Sequence, residues 1–297
     1  MYDHILFPTD GSDGANLMFD HILDIAAKHD VTVHILNIAD TTHEVDYLFQ
    51  GAIVDALDIV DIFEERGEKI VHVAAERAHQ RGVDTVTDVT RGEPSSSIVD
   101  YASSHSIDLI TMPTHGHGGL KRLLAGSTTE RVIRQADVPV LTIQPGESTT
   151  TYPYQDVLVP TDGSDYATEA LSNGIEVATK AETALHLLSV INTVSLDVDV
   201  WGDSQTPSEE NAHEILETAS TDAENAGVES ISQTVEYGSS IHQVILSYVD
   251  DHAIDLIVVG THGRTGFDRY VFGSITEKLV RTSPVPVLTT RESLSEA

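Results

Sequence analysis

The chain has 297 residues with 16 basic and 48 acidic side chains, no cysteine and a formal net charge of −32. A hydrophobic fraction of 40% is enough to build packed cores, so the charge does not imply disorder, and the length suits about two domains. Disulfides, thiol chemistry and Cys-based metal sites are excluded, and duplex DNA and anionic membranes are poor partners for such a surface.

Met1 runs straight into a strand-like segment, His4 to Thr9, with no basic-then-apolar signal pattern, which makes the cytoplasm the expected address. Apolar periodicity then predicts a helix over Ala15 to Lys28, a strand over Val31 to Ile38, and a helix over much of Ala52 to Arg81. A strand over Asp84 to Thr90, a helix over Ser95 to Ser104, a strand over Asp108 to Pro113, a helix over Thr128 to Gln135 and a strand over Val138 to Ile143 follow. Gln144 to Gln155, rich in Pro, Gly, Ser and Thr, has the composition of a linker. Beyond it, strands are expected near Val157 and Leu185, over Val228 to Tyr237, and near Asp255 and Val285. No run approaches the roughly 20 apolar residues of a membrane span.

The second series repeats the first. Ile5-Leu6-Phe7-Pro8-Thr9-Asp10-Gly11-Ser12-Asp13 returns 152 residues on as Val157-Leu158-Val159-Pro160-Thr161-Asp162-Gly163-Ser164-Asp165. Ile107-Asp108-Leu109-Ile110 and Val138-Pro139-Val140-Leu141-Thr142 return 147 residues on, at Ile254 and Val285. The same motifs in the same order mean a tandem duplication, with domains expected at residues 1–145 and 153–292. Strands too apolar to be half exposed, alternating with helices, predict an α/β fold: two five-stranded parallel sheets, each covered on both faces. The last strand of each half is expected at a sheet edge, where the tandem copy supplies a partner, giving an intrachain pseudo-dimer and leaving a further homodimer open.

The acid is not confined to a tail. Residues 1–150 carry 24 acidic and 10 basic side chains, and residues 151–297 carry 24 and 6. Self-repulsion of this size loosens a compact state in dilute buffer, and concentrated salt, with a Debye length of about 3 Å at 1 M, removes most of it. Five lysines against 11 arginines complete a halophilic, haloarchaeal-like composition, that of a protein adapted to a salty cytoplasm.

In open parallel sheets, ligands sit beyond the carboxyl ends of the strands where strand order reverses. There the second half carries Gly260-Thr261-His262-Gly263-Arg264-Thr265-Gly266, then Gly273-Ser274-Ile275-Thr276 before a helix. The first carries Pro113-Thr114-His115-Gly116-His117-Gly118-Gly119, then Gly126-Ser127-Thr128-Thr129. Glycines admit close approach, and amides at a helix start suit an anion such as phosphate. Lys121, Arg122, Arg131 and Arg134 beside the first loop, and Arg264, Arg269, Lys278 and Arg281 beside the second, are islands of positive charge, with ordinary ion pairing on a helix surface as the alternative. His115 and His262 have no visible cluster of further ligands, so no metal site is expected.

Gly260-x2-Gly263-x9-Gly273-Ser274 matches the G-x2-G-x9-G-(S/T) signature of ATP-binding universal stress proteins, and Pro160-Thr161-Asp162-Gly163-Ser164 resembles that family's first strand end. The resemblance spans both halves and implies a Rossmann-like, adenine nucleotide alpha hydrolase-like domain used in stress adaptation. It implies ATP, with AMP or ADP as alternatives and Mg as an option with the nucleotide. Carried over, Asp162 meets the ribose hydroxyls, Thr161 and Val190 line the base, and Gly260, Gly263, Gly273, Ser274 and Ile275 surround the ribose and phosphates. The corresponding positions of the first half are Thr9, Asp10, Ile38, Gly116, Gly126, Ser127 and Thr128. Pro113 departs from the pattern by standing where Gly260 stands, and it has no amide hydrogen to offer.

Each of these residues also has a plainer role open to it. Asp10 and Asp162 suit turns, Ser127 and Ser274 suit helix N-caps, and Ile38 and Val190 suit the core. Three functions compete: nucleotide binding with little or no turnover, weak ATP hydrolysis or phosphotransfer, and a scaffold acting through its surface. No P-loop, kinase motif set, G-x-G-x-x-G or S-G-G-x-D-S sequence is present, which favours binding over catalysis.

Overall fold

A computed structural model describes residues 2–40, 56–114, 127–144, 152–196, 209–261 and 273–291. The chain divides into two compact units, Tyr2–Gly146 and Glu147–Ala297. The first runs β1 (His4–Pro8), α1 (Asp13–His29), β2 (Thr32–Ala39), α2 (Ala56–Gln80), β3 (Thr85–Arg91), α3 (Pro94–Ser104), β4 (Leu109–Pro113), α4 (Ser127–Gln135) and β5 (Val140–Ile143). The second runs β6 (Asp156–Pro160), α5 (Asp165–Ala181), β7 (Ala184–Asn192), α6 (Thr193–Leu196), α7 (Glu209–Asn225), β8 (Ile231–Gly238), α8 (Ile241–Asp251), β9 (Leu256–Gly260), α9 (Ser274–Thr282) and β10 (Val287–Thr290).

Both halves build the expected α/β fold. Strand order is β3-β2-β1-β4-β5 in the first and β8-β7-β6-β9-β10 in the second, with every neighbouring pair parallel. β4 and β9 are buried along their whole lengths, as strands covered on both faces must be. Helix α1 shows the stripe that does the covering: Met18, Phe19, Ile22, Leu23, Ile25 and Ala26 are all buried, and Phe19 stacks on Phe7 of β1 at 4.6 Å. The duplication extends to the caps. Ser12 and Ser164 cap α1 and α5 by accepting from Ala15 N (3.2 Å) and Ala167 N (3.3 Å), and Asp30 and Glu182 close them in the left-handed region at φ 56° and 55°.

Three strands start two or three residues later than the sequence reading, each for a reason of backbone hydrogen bonding. β5 and β10 begin at Val140 and Val287, one residue past Pro139 and Pro286, which have no N–H for a ladder. Their carbonyls still serve it, accepting from Ile110 N and Ile257 N, both at 3.0 Å. β8 begins at Ile231 because the amide of Val228 closes the end of α7, donating to Ala223 O at 3.0 Å. Among the described residues no helix is long and apolar enough to cross a membrane.

One buried histidine couples this fold to pH. His21 on α1 is 9% exposed, and burial, partly opposed by Asp24, lowers its pKa from 6.5 to about 4. The unfolded chain therefore takes up the proton first: the stability is whole above pH 6.5 and is lost as pH falls towards 4. A shift of this size amounts to roughly 3 kcal/mol. Urea melts between pH 7.5 and 4.5 check this. His21→Leu is expected to shallow the acid slope, and an unchanged slope would remove His21 as its cause.

Candidate functional site

In each half the chain lays down three strands in one direction and then crosses to the other side, so order reverses between β1 and β4 and again between β6 and β9. The loops leaving these strands form the crevice. In the second half Thr161 N donates to Leu188 O (2.8 Å), continuing the β6–β7 ladder, and the chain then turns sharply. Thr161 Oγ1 accepts from Gly163 N (3.2 Å) and Asp162 Oδ1 accepts from Ser164 N (3.0 Å), while Gly163 sits at φ +74°. The first half repeats the turn: Gly11 N to Thr9 Oγ1 (3.2 Å), Ser12 N to Asp10 Oδ1 (2.9 Å), Gly11 at φ +75°. The turn role open to both aspartates is thus filled in the structure, and it fixes each carboxylate at the mouth of the crevice.

Gly260 is held by packing. A Cβ there would lie 2.6 Å from Tyr166 O and 3.0 Å from Tyr166 Cβ, so α5 can approach the end of β9 only because this residue has no side chain. Adding the methyl, Gly260→Ala, is expected to cost about 1–3 kcal/mol of stability, read from a urea melt of the variant. Ladder alternation also gives the residue a direction. Ile257 and Thr261 donate to carbonyls of β10 (3.0 and 2.9 Å), so the amide of Gly260 faces the opposite side, towards β6 and the crevice. In the first half Ile110 and Thr114 donate to the β5 side in the same way, which leaves the Pro113 position outside that ladder and explains how a proline is tolerated in a buried strand. The repeat also places Gly14 where Tyr166 stands, which removes the Cβ of that residue but not its carbonyl.

The helix after each loop is pinned to the same strand end. Thr276 Oγ1 donates to Gly260 O (2.7 Å), Gly273 N to Thr261 O (2.9 Å), and in the first half Thr129 Oγ1 donates to Pro113 O (2.9 Å). The sequence reading missed both threonines, although the fourth residue of Gly-Ser-x-Thr is the same in the two halves and carried that signal. Gly273 is the N-cap of α9 and supplies no side-chain bond, and Ser274 is exposed within the first turn, so the Ser274 N-cap reading does not hold. Ile38 and Val190, at the ends of β2 and β7, are half-buried among fully buried neighbours, which corrects the core reading for both. Thr161–Ser164, Gly260–Thr261 and Gly273–Thr276 are therefore brought together, with Val190 on the adjoining strand.

Residues 1–144 and 153–291 each match the model of the Universal stress protein family. The chain belongs to that family. Universal stress protein MJ0531 of Methanocaldococcus jannaschii is 33% identical over 145 residues, covering 48% of this chain and 83% of that protein. A universal stress protein from Archaeoglobus fulgidus superposes with a TM-score of 0.74 at 21% identity, covering 97% and 98% of the two chains. Protein PA1789 from Pseudomonas aeruginosa superposes at 0.67 and 16% identity, covering 98% and 93%. At these identities the two structures share the fold.

Charge divides the two halves of this universal stress protein. In the first, Arg131 pairs with Glu93 (3.0 Å) and Arg134 with Glu130 (2.5 Å), so these cations follow the ion-pairing alternative. Glu93, the N-cap of α3, is held down to about pH 2 by its hydrogen bonds from Ser95 and Ser96 and stays ionised. In the second half Arg281 pairs with Glu277 (2.6 Å), but the position of Glu93 is taken by Ser240 and that of Arg131 by Lys278. Lys278 makes no ion pair among the described residues, and its charge adds to burial in lowering the His242 pKa. Gly116, Gly126, Gly263, His115, His262, Lys121, Arg122, Arg264 and Arg269 lie outside the described residues, as does the Ser127 side chain; Thr128, in the first turn of α4, is half-buried. Among the described residues no group of three or more His, Asp or Glu is placed to hold a metal.

Proposed function

We propose that this universal stress protein binds an adenine nucleotide in the crevice of each half, more tightly in the second, with little or no turnover. The observation that carries the reading is the second crevice, where the Gly260 amide faces the β6 side and the first turn of α9 is pinned to the same strand end, with Lys278, in no ion pair among the described residues, further along that helix. Backbone amides and a helix start suit the phosphates, and the cation adds charge in a chain that has little to spare. Asp162 would take the ribose hydroxyls, Thr161 and Val190 the base, and Gly260, Gly263, Gly273, Ser274 and Ile275 the ribose and phosphates of ATP, ADP or AMP. Thr9, Asp10, Ile38, Gly116, Gly126, Ser127 and Thr128 would do the same in the first half. Magnesium, where present, would enter on the phosphates, since Mg²⁺ commonly reaches protein sites with its nucleotide.

Mass spectrometry of small molecules released from protein purified in molar KCl tests the reading. Near-stoichiometric adenine nucleotide is the expected result, and its absence, together with no calorimetric binding of ATP or AMP, would leave the scaffold function. A steady-state assay on the loaded protein separates binding from hydrolysis.

A further inference from the structure

At the amino-terminal ends of the strands, away from the crevice, each half carries a cluster of rings. In the first, His34 of β2 stands between two partners: its Nδ1 lies 3.1 Å from the Tyr101 hydroxyl, and its Nε2 lies 3.2 Å from Nδ1 of His4 on β1. The Tyr101 ring, on α3, stacks on His105 at 3.8 Å. In the second half His186 bridges in the same way, 3.1 Å from the Tyr248 hydroxyl, and Tyr248 stacks on His252 at 3.8 Å. The repeat has changed one member: the place of His4 is taken by Asp156, whose Oδ1 lies 3.0 Å from His186 Nε2.

That exchange alters how the two clusters answer protons. A hydrogen bond between two ring nitrogens requires one of them to be unprotonated, because a fully protonated imidazole has only donors. A second proton on the His4–His34 pair therefore sets two N–H groups and two positive charges face to face. A carboxylate accepts from an imidazole N–H whether the ring is neutral or charged, so the Asp156–His186 contact survives acid.

We propose that the His4–His34–Tyr101 relay is a proton-operated latch in the first half: uptake of a second proton by the histidine pair breaks it and loosens the starts of β1 and β2 from α3. Other charged groups close to the relay do not cancel the effect. Asp108, before β4, is engaged through Oδ2 with the amides of Asp3 and His4, both at 2.8 Å. Asp88 of β3 acts on Tyr101, the far partner of His34. His105, whose ring centroid is 6.2 Å from that of His34, adds repulsion once charged. The second half keeps the equivalent anchor, Asp255 accepting from Gln155 N (2.7 Å) and Asp156 N (3.2 Å); besides the exchanged residue, Thr234, 3.3 Å from the Tyr248 hydroxyl, stands where β3 has Asp88. The direction agrees with the His34 pKa, which burial lowers and His4 and His105 lower further. A depressed folded value means that the closed state is favoured above the unfolded value of about 6.5 and is lost as pH falls below it. Salt does not remove the effect, since a lost donor–acceptor contact is not screened.

Amide hydrogen exchange on the full chain in molar KCl, corrected for intrinsic rates, tests the latch from pH 8 to 5. Protection of β1, β2 and α3 is expected to fall about tenfold or more relative to β6, β7 and α8, one decade per pH unit of the shifted proton. His4→Asp is expected to abolish the difference, and Asp156→His to bring the loss to β6, β7 and α8. His21 lies in the same half and Asn173 stands at its place in the other, so the parent and both variants are compared with His21→Leu in each, which removes its acid response. Equal pH responses of the two halves in the parent chain, or an undiminished loss in His4→Asp, would overturn the proposal. If His4→Asp does not fold, Asp156→His decides alone, and no new acid lability in its second half would also overturn it.

Discussion

Asp162→Ala is expected to remove most high-affinity nucleotide binding, and Asp10→Ala very little. The two aspartates sit in superimposable turns, so the difference must come from what surrounds them. The second crevice offers the Gly260 amide, for which Pro113 has no counterpart. A hydrogen bond to a charged group is worth about 1.5–3 kcal/mol, so its absence weakens the first site roughly 10- to 150-fold. Lys278 works in the same direction, because its counterpart Arg131 is paired with Glu93. Calorimetry on the parent and both variants checks the order, with Gly263→Val as a third variant expected to behave like Asp162→Ala. Since Asp162 Oδ1 also holds the loop through Ser164 N, Asp162→Asn separates the roles: the amide oxygen keeps the turn and the charge is lost. Equal losses from the two alanine variants would show that the proline is harmless.

Lowering KCl from molar concentration to about 0.1 M, where the Debye length grows to about 10 Å, is expected to destabilise the protein strongly. With 48 acidic and 16 basic side chains, at most one acid in three can have a cation of its own. The described ion pairs show how the cations are spent: Arg77 on Asp20, Arg81 on Asp24, Arg91 on Glu64 and Lys180 on Glu176, all on exposed faces where such pairs contribute little. The unpaired majority repel, and only mobile counter-ions relieve them. A loss on the order of 3 kcal/mol would bring the thermal midpoint down by about 10 °C. With 24 acids against 6 bases, the second half should respond more steeply than the first. A midpoint that does not move across a KCl series would remove the halophilic reading.

The fold was legible because its signals are local and occur twice. Runs such as Leu109–Pro113 and Leu256–Gly260 are too apolar for anything but a covered strand, and the caps Ser12 and Ser164 announce their helices. Strand starts were less legible, since whether Val228 belongs to a strand or to a helix end depends on where its amide donates. In the crevice, residue types pointed to the loops that leave the strand ends, but the reason for Gly260 lay in the backbone of Tyr166, 94 residues earlier in the chain, which no spacing rule addresses. The charge islands misled for Arg131, Arg134 and Arg281, because a count along the chain does not see Glu93 or the i,i+4 partners closing on them.

The Gly260–Tyr166 contact also makes the history of the two copies directional. In the first, the strand end already carries Pro113 and the position of Tyr166 is held by Gly14, so no glycine is required there. In the second, a proline at 260 would meet the Tyr166 carbonyl at once, and changing Tyr166 first brings no relief because the obstructing atom belongs to the main chain. One copy is thus free to drift at this position while its twin is held. Under the proposed function, the constrained residue and the retained amide stand in the same half, the one expected to bind more tightly.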